Sequence, residues 1–361
     1  MSSNGSSSPV ARAEGFAARL GIRLPVLLAP MAGACPPSLS IAVANAGGMG
    51  ACGAVLMAPD AIRSWVSEFR QSSQGAFQIN LWIPDPPPVR DVERETRERE
   101  FLATWGPVVA PDAGDAVLPD FAAQCEATLE VAPKVISSIM GLYPADFVRA
   151  MKSRGILWLA AVTTVEEAVA AEAAGADAIV AQGAEAGGHR GAFRAEEAEH
   201  QMVGLMALLP QVVDAVSVPA IATGGITDAR GVAAALILGA SAVQVGTGFL
   251  CAPESGIHPA YAAKIAQTEA HATTLTHAYT GRTARGIANS YTRARAGEDA
   301  PEPAEYPIQR GFTRAMREAA IKAGDTDRMQ MWAGQAAKYA QTKPAAQIAE
   351  ELWTEAVRLL S

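Results

Sequence analysis

Between Leu24 and Val245 the chain passes through eight apolar segments, spaced roughly 20 to 30 residues apart and separated by stretches that read as helices. They are Leu24 to Gly33, a strand that ends in a Pro/Gly turn, then Met49 to Ala54, Phe77 to Trp82, Lys134 to Met140, Leu157 to Val162, Ala178 to Ala181, Val218 to Ala222 and Ala242 to Val245. Continuously apolar strands are buried on both faces, and helical crossovers between them make neighbouring strands parallel. Eight such units closing on themselves form a TIM (β/α)8 barrel, an α/β fold. The runner-up is an open doubly wound sheet, which usually carries a GxGxxG turn after its first strand, and that turn is absent here.

After Cys251 the strand pattern stops. A loop-rich stretch follows, then a link with Pro301, Pro303 and Pro307, then amphipathic helices to Ser361. The expected division is a leading, disordered segment over 1–20, a barrel over 21–252, and a loop and helical extension over 253–361. The extension is expected to pack on the barrel or on a partner subunit of a homodimer. Met1 to Pro9 is a Ser/Gly tract with neither a basic start nor an apolar core, unlike a signal peptide or an anchor. No apolar run approaches the ~20 residues of a membrane span. Lys+Arg number 29 against 37 Asp+Glu, a net charge of −8, which disfavours a nucleic-acid partner. Cys35, Cys52, Cys125 and Cys251 follow no CxxC spacing and fit buried thiols of a reducing cytoplasm. No His/Asp/Glu cluster has metal-ligand spacing.

Chemistry is expected at the C-terminal ends of barrel strands. The sixth strand leads into Gln182-Gly183-Ala184-Glu185-Ala186-Gly187-Gly188-His189-Arg190-Gly191. Glycines at that density let backbone N–H groups approach a ligand, and the histidine brings a group that titrates near neutrality. Thr164 with Glu167 reads as a capping box opening the helix before this strand. Met31 and Gly33 follow the first strand, and Asn80 lies near the end of the third. Gly224-Gly225 follow the seventh, and Gln244-Val245-Gly246-Thr247 close the eighth. The last two loops in tandem fit the phosphate cradle of this fold, in which backbone N–H groups hold the anion. Asn80, Gln182 and Gln244 add amides able to read the edge of a planar heterocycle. Flavin mononucleotide (FMN) meets both conditions, whereas a phosphorylated sugar meets only the first.

These residues also carry a resemblance. Ala29-Pro30-Met31-Ala32-Gly33, Gln78-Ile79-Asn80, the Gln182 to His189 loop, Gly224-Gly225-Ile226 and Gln244-Val245-Gly246-Thr247 resemble, in order, the nitronate monooxygenases (2-nitropropane dioxygenases). The resemblance extends to Gly281-Arg282-x-x-Arg285-Gly286, Tyr306-Pro307-Ile308-Gln309 and Ala333-Gly334-Gln335. It implies FMN held by Asn80, Gln182, Gly187, Gly188, Gly224, Gly225, Gln244, Val245, Gly246 and Thr247, with Met31 and Gly33 against the flavin. It implies that His189 faces the substrate, and that alkyl nitronates, or nitroalkanes, react with O2 to give a carbonyl compound and nitrite. Two departures touch the substrate pocket: Ala34-Cys35-Pro36-Pro37 after the first motif, and Thr280 where a serine is expected.

His189 has two roles open to it, as a base for the α-proton of a nitroalkane or as a donor to the anionic nitro group. Glu185 is expected to orient the loop rather than act as an acid. Arg190 is expected either over the phosphate or in solvent. His200, His258, His271 and His277 read as surface or packing residues. The alternative activity is an FMN-dependent NAD(P)H reductase of the enoyl-acyl-carrier-protein or quinone type, which shares the fold and the Glu-Ala-Gly-Gly-His loop.

Overall fold

The computed structural model describes residues 8–115 and 117–361. Its central sheet has eight parallel strands: β1 (Val26–Leu28), β2 (Gly50–Gly53), β3 (Phe77–Trp82), β4 (Val135–Ile139), β5 (Leu157–Val162), β6 (Ala178–Gln182), β7 (Ala220–Thr223) and β8 (Ala242–Val245). The sheet order is β1-β8-β7-β6-β5-β4-β3-β2. It closes through the Leu27–Met49 bridge, where Leu28 N–H donates to the Met49 carbonyl at 2.9 Å. This is the expected barrel, with helices outside it.

Side chains along a strand alternate between two faces. On β3, Phe77, Ile79 and Leu81 join the layer between strands and helices, while Asn80 and Trp82 face the barrel cavity. The inward set is graded along the axis. Towards the N-terminal ends of the strands it is apolar, with Leu27, Met49, Leu159, Ile221 and Ala242 in one cluster. Towards the C-terminal ends it turns polar, with Asn80, Ser137, Gln182, Thr223 and Gln244. The apolar end therefore carries packing energy and the polar end is left for a ligand.

The N-terminal lead corrects the expectation. Residues 1–7 lie outside the described residues, but Pro9–Leu20 is a helix, opened by Ser8 and closed by Gly21 in the left-handed region. Proline in the first turn and glycine after the last are the usual helix punctuation. Its Phe16, Ala17 and Leu20 pack into the apolar end of the barrel and close it from below.

The extension also holds more regular structure than its sequence announces. Thr273–Thr276 and Ala284–Ile287 form an antiparallel pair, and Gly188–His189 adds to it as a short third strand. A second apolar cluster joins Leu250 and Cys251 to Tyr261, Ile287, Met329, Met331 and Ala333, so the extension packs directly over the strand ends. The four cysteines are free and buried.

Candidate active site

The polar upper layer of the barrel is ordered by its own amides. Gln78 donates to the Leu28 carbonyl at 3.0 Å and to Gln244 Oε1 at 3.1 Å, fixing which way the Gln244 amide faces. Asn80 donates to Ser137 Oγ at 3.1 Å. Thr223 donates its hydroxyl to the Gln244 carbonyl at 2.8 Å, tying the ends of β7 and β8 together. Above this layer lies a cavity of about 560 Å³. Met31, Gly33, Asn80, Gln182, Gly187, Gly188, His189, Gly224, Gly225, Gln244, Gly246 and Thr247 all line it. Val245, expected with them, does not. Alternation turns its side chain outward into the layer between strands and helices.

The two last loops have the chemistry of an anion cradle. Among the described residues, the backbone N–H groups of Gly224, Gly225, Gly246 and Thr247 form no hydrogen bond within the protein. Gly224 and Gly225 have φ of +108° and +70°, in the left-handed region that favours glycine. A Cβ on Gly225 would lie 3.2 Å from Glu185 Cβ. These donors line the cavity wall without a protein partner, Gly225 exposed and the other three half-buried, and four N–H groups around one end of a cavity fit a phosphate. The amides of Asn80 and Gln244, across the cavity floor, fit the edge of a planar ring.

The His189 loop is pinned from several sides. Gln182, expected as a ligand contact, spends its amide on the loop: Nε2 donates to the His189 carbonyl at 3.0 Å and Oε1 accepts from Gly191 N–H at 2.8 Å. Arg190 is over neither phosphate nor solvent. It is buried and donates to the carbonyls of Gln182 at 2.5 Å, Gln201 at 2.9 Å and Thr163 at 3.3 Å. Burial lowers its pKa to about 10, against the pull of Glu167 and Glu185. Glu185 accepts from Leu205 N–H through both oxygens, at 3.0 and 2.9 Å, at the start of the Leu205–Ala215 helix. Glu167 does not complete a capping box. Thr164 Oγ1 accepts from Glu167 N–H at 3.2 Å, but the Glu167 carboxylate accepts from Thr163 N–H and Phe193 N–H, both at 2.6 Å.

His189 projects from this loop into an aromatic corner. Its ring centroid is 4.9 Å from Trp82 and 5.4 Å from Trp332, edge to face in both cases. Trp82 is stacked on Tyr306 at 4.8 Å. Burial, helped by the positive charges of Arg282 and Arg310, lowers the His189 pKa to about 3, so the ring is neutral around pH 7. Nε2 is 2.9 Å from Thr280 Oγ1, which is itself 3.2 Å from the Arg282 carbonyl. All three are satisfied when the Thr280 hydroxyl donates to that carbonyl and accepts from Nε2–H. That tautomer leaves Nδ1 as the basic atom.

Sequence reasoning missed the wall built by the extension. Tyr306, Arg310, Arg317 and Trp332 line the cavity, as does His258, expected to lie outside it; Thr280, expected at the substrate pocket, lines it too. Gly334 N–H donates to Thr247 Oγ1 at 3.0 Å, and a Cβ on Gly187 would lie 2.4 Å from Gly334 N. The motifs Tyr306-Pro307-Ile308-Gln309 and Ala333-Gly334-Gln335 were the available signal. They sit in a part of the chain with no strand pattern to place them.

A barrel with unpaired N–H donors after its last two strands, an amide-lined floor and a histidine above it has the form of a flavin-dependent oxidoreductase. Comparison with known proteins agrees. Residues 15–355 match the family model for nitronate monooxygenase, and the chain belongs to that family. It is 40% identical over 343 residues to the nitronate monooxygenase of Paraburkholderia phytofirmans, covering 93% of each chain. It is 39% identical over 347 residues to that of Pseudomonas aeruginosa, covering 94% of this chain and 98% of the relative. Among solved structures, a nitroalkane oxidase from Streptomyces ansochromogenes superposes with a TM-score of 0.86 at 34% identity, covering 96% of this chain and all of that one. FabK from Thermotoga maritima follows with a TM-score of 0.74 at 30% identity, covering 96% of each chain.

Proposed function

We propose that this protein binds FMN and oxidises alkyl nitronates with O2 to a carbonyl compound and nitrite. The observation that carries this is the set of unpaired N–H groups at Gly224, Gly225, Gly246 and Thr247, facing the same cavity as His189. Those groups would hold the cofactor phosphate. Asn80 and the Gln244 amide would meet the ring edge, with Met31 and Gly33 against its plane. Bound there, the flavin would supply the electron-transfer chemistry that no side chain offers.

The chain's own residues position the substrate. Trp82, Tyr306 and Trp332 surround His189 with aromatic surface. His189, held neutral, works through a ring nitrogen and not as a fixed cation. Nδ1 is the atom able to take the α-proton of a neutral nitroalkane, and a preformed nitronate needs no such step. The likeness to the nitroalkane oxidase structure and the 40% identity to a nitronate monooxygenase support this reading over an NAD(P)H reductase. The test is nitrite release and oxygen uptake by the purified, flavin-loaded protein given the nitronate of nitroethane. Stoichiometric nitrite with the aldehyde supports the reading, and oxygen uptake without nitrite contradicts it.

A further inference from the structure

A neutral His189 cannot supply the charge that an anionic substrate calls for, and the cavity wall offers that charge elsewhere. Among the described residues no Asp or Glu lines the cavity, and its only Lys or Arg side chains are Arg310 and Arg317. Arg282 and Arg310 act on His189 and Arg317 shares the cavity wall with it, and two of these three arginines are committed. Arg282 is paired with Asp85, donates to the Ala192 carbonyl at 2.5 Å, and lies 5.6 Å from the Trp82 ring centre. Arg317 donates Nε to Thr313 Oγ1 at 3.1 Å and Nη2 to the Arg310 carbonyl at 2.9 Å. Among the described residues, the Arg310 guanidinium is in no salt bridge and donates no hydrogen bond within the protein.

Arg310 is placed there by the extension. It lies on the short helix Ile308–Phe312, one turn from Tyr306, whose ring stacks on Trp82. Gln309, its neighbour, is fully buried and donates to Glu98 at 2.7 Å and to the Ala278 carbonyl at 2.9 Å, anchoring the helix. Burial lowers the Arg310 pKa, as expected of a cation without a protein counter-charge, and its charge is felt at His189. A guanidinium left unpaired in a cavity free of carboxylates is suited to a planar anion, which it can hold through two parallel N–H donors.

Building on the function proposed above, we infer that Arg310 is the anion-binding residue of the substrate site, holding the nitronate oxygens beside His189 and so selecting the ionised substrate over its neutral nitroalkane. Arg317 braces Arg310 from behind through its carbonyl and adds positive potential. The cofactor's phosphate is served separately by the loops after β7 and β8, so Arg310 is not needed for it.

The test uses the flavin-loaded protein and nitrate, a planar anion of the same shape as a nitronate head group, with binding measured by calorimetry. Arg310→Gln is expected to weaken nitrate binding roughly 10- to 100-fold, the range of a lost charge-assisted hydrogen bond. Arg310→Lys, which keeps a point charge, is expected to recover most of that loss. In turnover, the ratio of kcat/KM for the nitronate of nitroethane to that for nitroethane is expected to fall at least tenfold in Arg310→Gln, mainly through a higher KM for the nitronate. Flavin content and melting temperature serve as the folding control. Unchanged nitrate affinity in Arg310→Gln overturns the inference, as does an Arg310→Lys variant that keeps its flavin and is as impaired as the glutamine. Should nitrate binding depend on Arg310 while no nitronate is turned over, the anion subsite stands and the proposed reaction falls.

Discussion

His189 sits where two indole edges and two arginine charges meet, and that setting decides its protonation. With a folded pKa of about 3 against an ordinary 6.5, the unfolded chain binds a proton in that interval that the folded chain refuses. Stability therefore rises with pH through the window and is complete above it. Lowering the pH from 7.5 to 5 is expected to cost about 1–2 kcal/mol at this residue, allowing for screening in a half-open cavity. Chemical denaturation at both pH values should show that loss shrinking in His189→Asn, and an equal loss in both proteins contradicts the assignment. The same variant is expected to retain flavin and to lose tenfold or more in turnover. The sequence made His189 legible because a histidine among glycines after a strand has few other uses. It hid the neutrality, because Trp82, Trp332, Arg282 and Arg310 come from segments far away along the chain.

Elements explain which loop residues work on the ligand and which on the loop. Glu185, Gln182 and Arg190 all read as polar residues of an active-site loop, yet each spends its hydrogen bonds on backbone. Glu185 links the loop to the first N–H of the Leu205–Ala215 helix. Glu185→Ala is expected to cost about 1 kcal/mol, as for a lost helix cap, and to weaken flavin binding because Gly225 packs against its stem. Thermal melting with a flavin titration checks both, and an unchanged flavin affinity removes Glu185 from the support of the cradle. Strand alternation should have placed Val245 outside: Gln244 faces in, so Val245 faces out.

At the scale of the molecule, the barrel was visible in its eight apolar runs because burial on both faces leaves little choice of residue. The helix at Pro9–Leu20 was not, because a helix that plugs a barrel end buries few side chains and follows a Ser/Gly tract. Phe16→Ala is expected to destabilise the protein by about 3 kcal/mol through the cavity it leaves, without altering substrate KM. Denaturant unfolding alongside steady-state kinetics checks this, and a raised KM at full stability contradicts the separation of a packing end from a chemical end. The extension was the least legible part. Its site residues Tyr306, Arg310 and Trp332 acquire meaning only once the Gly188–His189 strand joins the Ala284–Ile287 strand and draws the extension over the cavity.

The most direct test of the central claim is anaerobic mixing of the purified protein with the nitronate of nitroethane and, separately, with NADH and NADPH, followed by visible absorbance. The account predicts a bound flavin whose absorbance is bleached by the nitronate and responds slowly to either nicotinamide. Rapid bleaching by NADH or NADPH with no response to the nitronate would contradict it and make the protein a reductase on the same scaffold.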